Sequence, residues 1–219
     1  MVQILKDIYQ NVRISSSLGL KGGTACYLFY GLNRYSADLD FDLLKPDLKN
    51  LVYQEIKKIV KKYAIIKEQY IKKNTIFFLL SYGDKERNIK IEISTRNLGS
   101  CYQVLNYLGI GMLVIKKEDM FANKLIALTE RKKLANRDIF DLYYFFSEHW
   151  EINENIIKLR TNKDLNKYLK DCIQCVKKVN NKQILQGLGE LVNEKQKVWI
   201  KNNLKKEFLF LLNLHSENY

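Results

Sequence analysis

Lys21-Gly22-Gly23-Thr24 is followed, after thirteen residues, by Asp38-Leu39-Asp40-Phe41-Asp42. Two adjacent glycines permit positive φ and close backbone approach, and Thr24 leading into ACYLFYGL marks the start of a short helix. A helix start presents free N–H groups and partial positive charge, which suits a phosphate. In SADLDFDLL the alternation is strict, so a strand sends Leu39 and Phe41 to one side and Asp38, Asp40 and Asp42 to the other. Three carboxylates on one face repel one another and call for cations, and oxygen-only donors at this density suit Mg²⁺. A solvent-facing edge strand, whose charges discourage aggregation, accounts for the same pattern.

Asn88-Ile89-Lys90-Ile91-Glu92-Ile93-Ser94 supplies a second alternating strand, with Lys90, Glu92 and Ser94 on the polar side. As neighbours, the two strands bring Glu92 beside the aspartates. Two aspartates plus a carboxylate from an adjacent strand is what two-metal phosphoryl transfer needs: one ion grips the triphosphate and the other lowers the pKa of the attacking hydroxyl. An ordinary exposed strand glutamate is the competing reading of Glu92.

Working outward, periodicity divides the chain. Up to about Ile115 short alternating segments (YAIIKEQYI, NTIFFLLSYG, GMLVI) mix with helices, whereas after Lys116 every segment reads as helix. The helical segments are KEDMFANKLIALTERKK, NRDIFDLYYFFSEHW, DLNKYLKDCIQCVKKV and a tail from about Lys182 to Leu214. The expectation is an α+β fold: a mixed β-sheet domain with flanking helices over 1–115, then an α-helical bundle over 116–219. An apolar share of 47% supplies a core for either part.

The net charge of +13 comes from both halves, with 17 basic and 10 acidic residues through Ile115 and 20 and 14 after it, so no basic tail explains it. A basic excess over a folded body attracts polyanions, although a Lys-, Asn- and Ile-rich composition accounts for it equally well. Four cysteines are too few for a disulfide scaffold, and Cys172-x-x-Cys175 lies in a helical stretch without a second pair. No apolar run approaches a bilayer span and the opening lacks a secretory pattern, so the expected location is cytoplasmic, with no membrane partner.

The stretch KGGTACYLFYGLNRYSADLDFDLL resembles the first motif of the AbiEii/AbiGii-type nucleotidyltransferase toxins, within the DNA polymerase β superfamily. The likeness continues through Lys117–Leu125 and the Arg137-Asp138-Ile139-Phe140-Asp141-Leu142 segment, covering about residues 18 to 146. It implies a nucleotidyltransferase-type fold and a phosphate-binding turn at Gly22, Gly23 and Thr24. By the same likeness Asp38 and Asp40 are the metal-binding pair, Lys124 contacts nucleotide, and Asp138 is the later essential aspartate, with Asp141 beside it. Glu92 completes the metal set by superfamily analogy. Thr24 departs from the superfamily's usual serine but keeps the hydroxyl.

Read without the resemblance, Lys124 and Arg131 share a helix side and either line a phosphate-facing wall or are solvated. Arg137 precedes Asp141 by four residues, a spacing that permits a surface ion pair. The aromatics Tyr143, Tyr144, Phe145, Phe146, Trp150, Trp199, Phe208 and Phe210 read as core, with one or two rings left to stack on a base. The family implies transfer of a nucleoside monophosphate from Mg-NTP to RNA at a tRNA 3′ end, and a cognate antitoxin partner. Transfer to a small-molecule or protein hydroxyl, or a non-catalytic nucleotide- or RNA-binding module, are the alternatives.

Overall fold

The structure, a computed structural model, describes residues 1–83, 88–131 and 133–217. The chain forms two compact units: Met1–Gly31 with Ser36–Lys116, and Leu32–Tyr35 with Lys117–Tyr219.

The first unit carries α1 (Val2–Gln10), β1 (Leu18–Lys21), α2 (Gly22–Phe29), β2 (Leu39–Leu43), α3 (Lys49–Val60), β3 (Ile65–Lys72), β4 (Thr75–Ser81), β5 (Ile89–Ser94), β6 (Tyr102–Tyr107) and β7 (Ile110–Ile115). Its strands form one mixed seven-stranded sheet in the order β3-β4-β5-β2-β1-β7-β6. β2 runs parallel to β5 and β1 parallel to β7, while the other pairs are antiparallel. Alternation decides the faces: Leu39, Phe41, Ile76, Phe78, Ile91 and Ile93 are fully buried. α1 and α3 close that side, where Tyr9 meets Phe41 at 6.4 Å and Tyr53 stacks on Phe78 at 5.2 Å between centroids. Each such side chain removed from water contributes roughly 1.5–3 kcal/mol, so the apolar face fixes the register and with it the polar face.

Across the polar face the register lines up Lys21, Asp40, Glu92, Phe77 and Tyr70, one from each of five adjacent strands. The next row runs Gly19, Asp42, Ser94, Thr75 and Lys72.

The second unit contains α4 (Lys117–Glu130), α5 (Asn136–Ser147), α6 (Glu154–Thr161), α7 (Leu165–Lys177), α8 (Glu194–Trp199) and α9 (Lys205–Glu217), with a π-helical turn at Ile200–Leu204. Its core is aromatic: Phe121 meets Phe145 and Phe146 edge-on at 5.4 and 4.7 Å, and Phe145 stacks on Trp150 at 4.3 Å. The tail differs from the expected run of helix. Asn181–Gln183 and Gly189–Leu191 are single 3₁₀ turns around Gly187 at φ +68°, and α-helix resumes only where Asn193 and Gln196 form a capping box. No helix among the described residues is long and apolar enough to cross a membrane.

Candidate active site

β1 ends where Gly22 takes φ +73° and opens α2, with Lys21 as the cap residue and no side chain capping the helix. A Cβ on Gly22 would stand 2.5 Å from Asp40 Oδ2, so only glycine lets the backbone come this close to the carboxylate. The first turn of α2 is therefore set directly against Asp40. Thr24 is wholly buried, and its hydroxyl donates to the Asp38 carbonyl oxygen at 2.5 Å and lies 3.1 Å from Ser36 Oγ. That hydroxyl points inward and orders the chain entering β2.

The three aspartates of the strand are not equivalent. Asp42 is buried, accepts from Lys21 Nζ at 2.6 Å and from the Tyr102 hydroxyl at 2.5 Å, and so has its charge neutralised within the protein. Tyr102 reaches it across Gly19, where a Cβ would fall 2.2 Å from the ring. Asp38 and Asp40 are only half-buried, and Asp38 Oδ1 accepts from the Lys90 amide at 3.3 Å. Glu92 is the direct cross-strand partner of Asp40 but is exposed. Among the described residues no three His, Cys, Asp or Glu side chains are gathered closely enough to hold a metal ion by themselves. The trio Asp38, Asp40 and Glu92 is thus adjacent without forming a protein cage. Two carboxylates beside a glycine-lined helix start do fit an ion that brings water and phosphate as its other ligands, the usual habit of Mg²⁺.

In the helical unit the predicted residues come together around buried charge. Asp141 is fully buried and accepts from Arg34 through both oxygens, at 2.5 and 2.7 Å. Lys124 Nζ lies 3.0 Å from Asp141 Oδ2 and 3.0 Å from Asp138 Oδ1. Arg131 Nε approaches Asp138 Oδ2 at 3.2 Å, outside hydrogen-bond alignment, leaving that buried oxygen without a hydrogen bond. Burial opposes charge here, yet the two carboxylates hold Lys124 above the ordinary lysine pKa, and Lys124 with Arg34 holds Asp141 below the ordinary carboxylate value. Asp141 lies in the core and not at the surface, and its partners there are Arg34 and Lys124.

A family model described as "Nucleotidyl transferase AbiEii toxin, Type IV TA system" matches residues 3–208. The chain belongs to the AbiEii nucleotidyltransferase toxin family. Two Helicobacter pylori crystal structures, one of a candidate nucleotidyltransferase and one of JHP933, are each 26% identical to it. Both alignments cover 99% of this chain, with 93% and 90% of the other chain and TM-scores of 0.66 and 0.64. MenT4, the nucleotidyltransferase toxin Rv2826c of Mycobacterium tuberculosis H37Rv, shares the fold at 18% identity and a TM-score of 0.65, over 99% of this chain and 83% of its own. No curated protein matches in sequence.

Against the AbiEii motifs, the residues that sequence reasoning missed are the ones that answer charge with charge. Arg34 lies inside the first motif but acquires its role only from Asp141, 107 positions later. Lys21 and Tyr102 likewise matter only because Asp42 is their partner.

Proposed function

We propose that this toxin transfers a nucleoside monophosphate from Mg-NTP to an RNA acceptor, with a tRNA 3′ end as the substrate the family suggests. The observation that carries this reading is the seating of Gly22 against Asp40, which puts the anion-attracting helix start and a metal-binding carboxylate at one point. Gly22 and Gly23 give the triphosphate backbone N–H donors, and Thr24 keeps Asp38 in place behind them. Asp38 and Asp40 are the residues that would hold Mg²⁺. When bound, the ion screens the phosphate charge and favours the ionised form of the attacking hydroxyl. Glu92, one strand further, accepts the proton of that hydroxyl and orients its oxygen opposite the departing pyrophosphate.

From the helical unit, the family motifs assign Lys124 and Asp138 to the reaction, and Arg131, seven residues after Lys124, adds cationic charge toward the nucleotide phosphates. Asp141, with both oxygens engaged, serves as a positioning residue for Lys124. A net charge of +13 suits an RNA acceptor, and the type IV toxin family suggests a cognate antitoxin protein as partner.

The test is incubation of the full chain with radiolabelled NTPs, Mg²⁺ and total RNA. Label should appear on RNA, vanish with a chelator, and fall by about 10²-fold or more in Asp40→Ala, the scale on which removing one charge-stabilising group acts. No label on RNA, or equal labelling by wild type and Asp40→Ala, overturns the reading; label on protein redirects it to another acceptor.

A further inference from the structure

The polar face continues past Glu92, and what stands there is aromatic. Phe77 is the cross-strand partner of Glu92, and Tyr70 that of Phe77. Their rings stack at 4.9 Å between centroids and 17° between planes, and both are half-exposed. Lys72 Nζ sits 4.3 Å from the Tyr70 centroid, so the tyrosine ring contacts both a cation and Phe77. Lys73 and Lys49 are at the same end of the hairpin, where Lys49 Nζ bonds the carbonyl oxygens of Lys72 and Lys73. Among the second half's aromatics, Phe145 and Phe146 are buried, Trp150 stacks on Phe145, Trp199 packs against Tyr143, and the exposed Phe210 lies on the C-terminal helix and not on the sheet face that carries Asp40 and Glu92.

We infer that Phe77, backed by Tyr70 and Lys72, is a stacking platform for an unpaired base of the acceptor RNA. This rests on the transferase reading and adds to it the side chain that holds a base of the acceptor. The order across the sheet selects the acceptor over the NTP as the occupant. The glycine turn lies on the β1 side of Asp40, whereas Glu92 and then Phe77 lie on the other side. Strands repeat at about 4.8 Å, so Phe77 is roughly 5 Å beyond the group that meets the acceptor hydroxyl. A base–aromatic stack needs a free π-face and tolerates any base, and lysines at its far end attract the backbone phosphates of the same strand. A base held in a duplex cannot use this platform. The acceptor therefore presents a single-stranded end.

Two measurements on the full chain decide it. In the first, fluorescence anisotropy compares a labelled hairpin RNA bearing an unpaired 3′ end with the same hairpin made blunt, for wild type, Phe77→Leu and Phe77→Tyr. Leu keeps apolar volume and removes the π-face, while Tyr keeps both. Wild type and Phe77→Tyr should prefer the unpaired end, and Phe77→Leu should lose about ten-fold in affinity for it with an unchanged melting temperature. Equal binding of both hairpins by wild type, or equal affinity of Phe77→Leu and wild type, overturns the platform. In the second, transfer kinetics should show Phe77→Leu raising KM for RNA about ten-fold with KM for NTP unchanged. A rise in KM for NTP instead assigns the ring to the nucleotide base and overturns the acceptor assignment. If wild type transfers nothing, the transferase reading falls, and the anisotropy arm still decides the platform.

Discussion

Asp38 and Asp40 in the sheet unit and Asp138 and Asp141 in the helical unit are the same chemical group in opposite circumstances. The first pair is half-exposed on an open face beside a helix start. The second is at most 1% exposed and faces Arg34, Lys124 and Arg131. Burial is what separates them: a carboxylate sunk among fixed cations is committed to internal order, whereas one at the surface stays within reach of solvent. Asp42 shows the boundary between the two: it belongs to the first strand by sequence, yet Lys21 and Tyr102 place it with the second kind.

The contrast is broken most forcefully at Arg34. Arg34→Ala leaves Asp141 buried without its bidentate partner and should cost about 3–5 kcal/mol by urea denaturation, whereas Asp40→Ala, at a half-exposed position, should cost less. Replacing the pair together, as Arg34→Met with Asp141→Leu, should restore much of the loss, since an apolar pair carries no unpaired charge. Equal destabilisation by Arg34→Ala and Asp40→Ala would show that the two sets of carboxylates are alike after all.

Gly22→Ala tests the sheet side of the comparison. It forces an L side chain into φ +73° and drives a methyl toward Asp40 Oδ2. The strain should amount to about 1–3 kcal/mol, with a loss of transfer activity exceeding what that destabilisation explains. Thermal melting run beside the labelling assay separates the two effects.

The smallest effect is expected from pH. Asp141 has a lowered pKa, so its contribution is present above the unfolded carboxylate value of about 3.9 and disappears as pH falls through the lower folded value. Lys124 has a raised pKa, so its contribution is complete below the unfolded lysine value of about 10.4 and disappears as pH rises through the higher folded value. Between those limits the network should add a constant amount. Melting temperatures of wild type and of the Arg34→Met, Asp141→Leu double variant should run parallel there and diverge in strong acid, where wild type loses the Asp141 contribution.

Much of the sheet was legible because strict alternation in SADLDFDLL and NIKIEIST leaves one choice of face. β1 and β6 were not. β1 has four residues, too few to show a period, and in β6 the alternation has no apolar side, Val104 being 69% exposed. In the candidate site, the placement of Gly22, Asp40 and Glu92 could be read locally because turn, strand and partner strand each carry their own signal. The state of each carboxylate could not. How deeply an aspartate is buried, and among which cations, is decided by the fold, and Arg34 and Asp141 are 107 positions apart.

The four residues Leu32–Tyr35 associate with the helical unit although the sheet's own chain flanks them on both sides. During synthesis Arg34 emerges before any of the helices it serves and waits about a hundred residues for its counter-ion. A fragment cut at the junction near residue 116 would separate that guanidinium from the helices entirely, so the two units are to be made, purified and mutated as one chain.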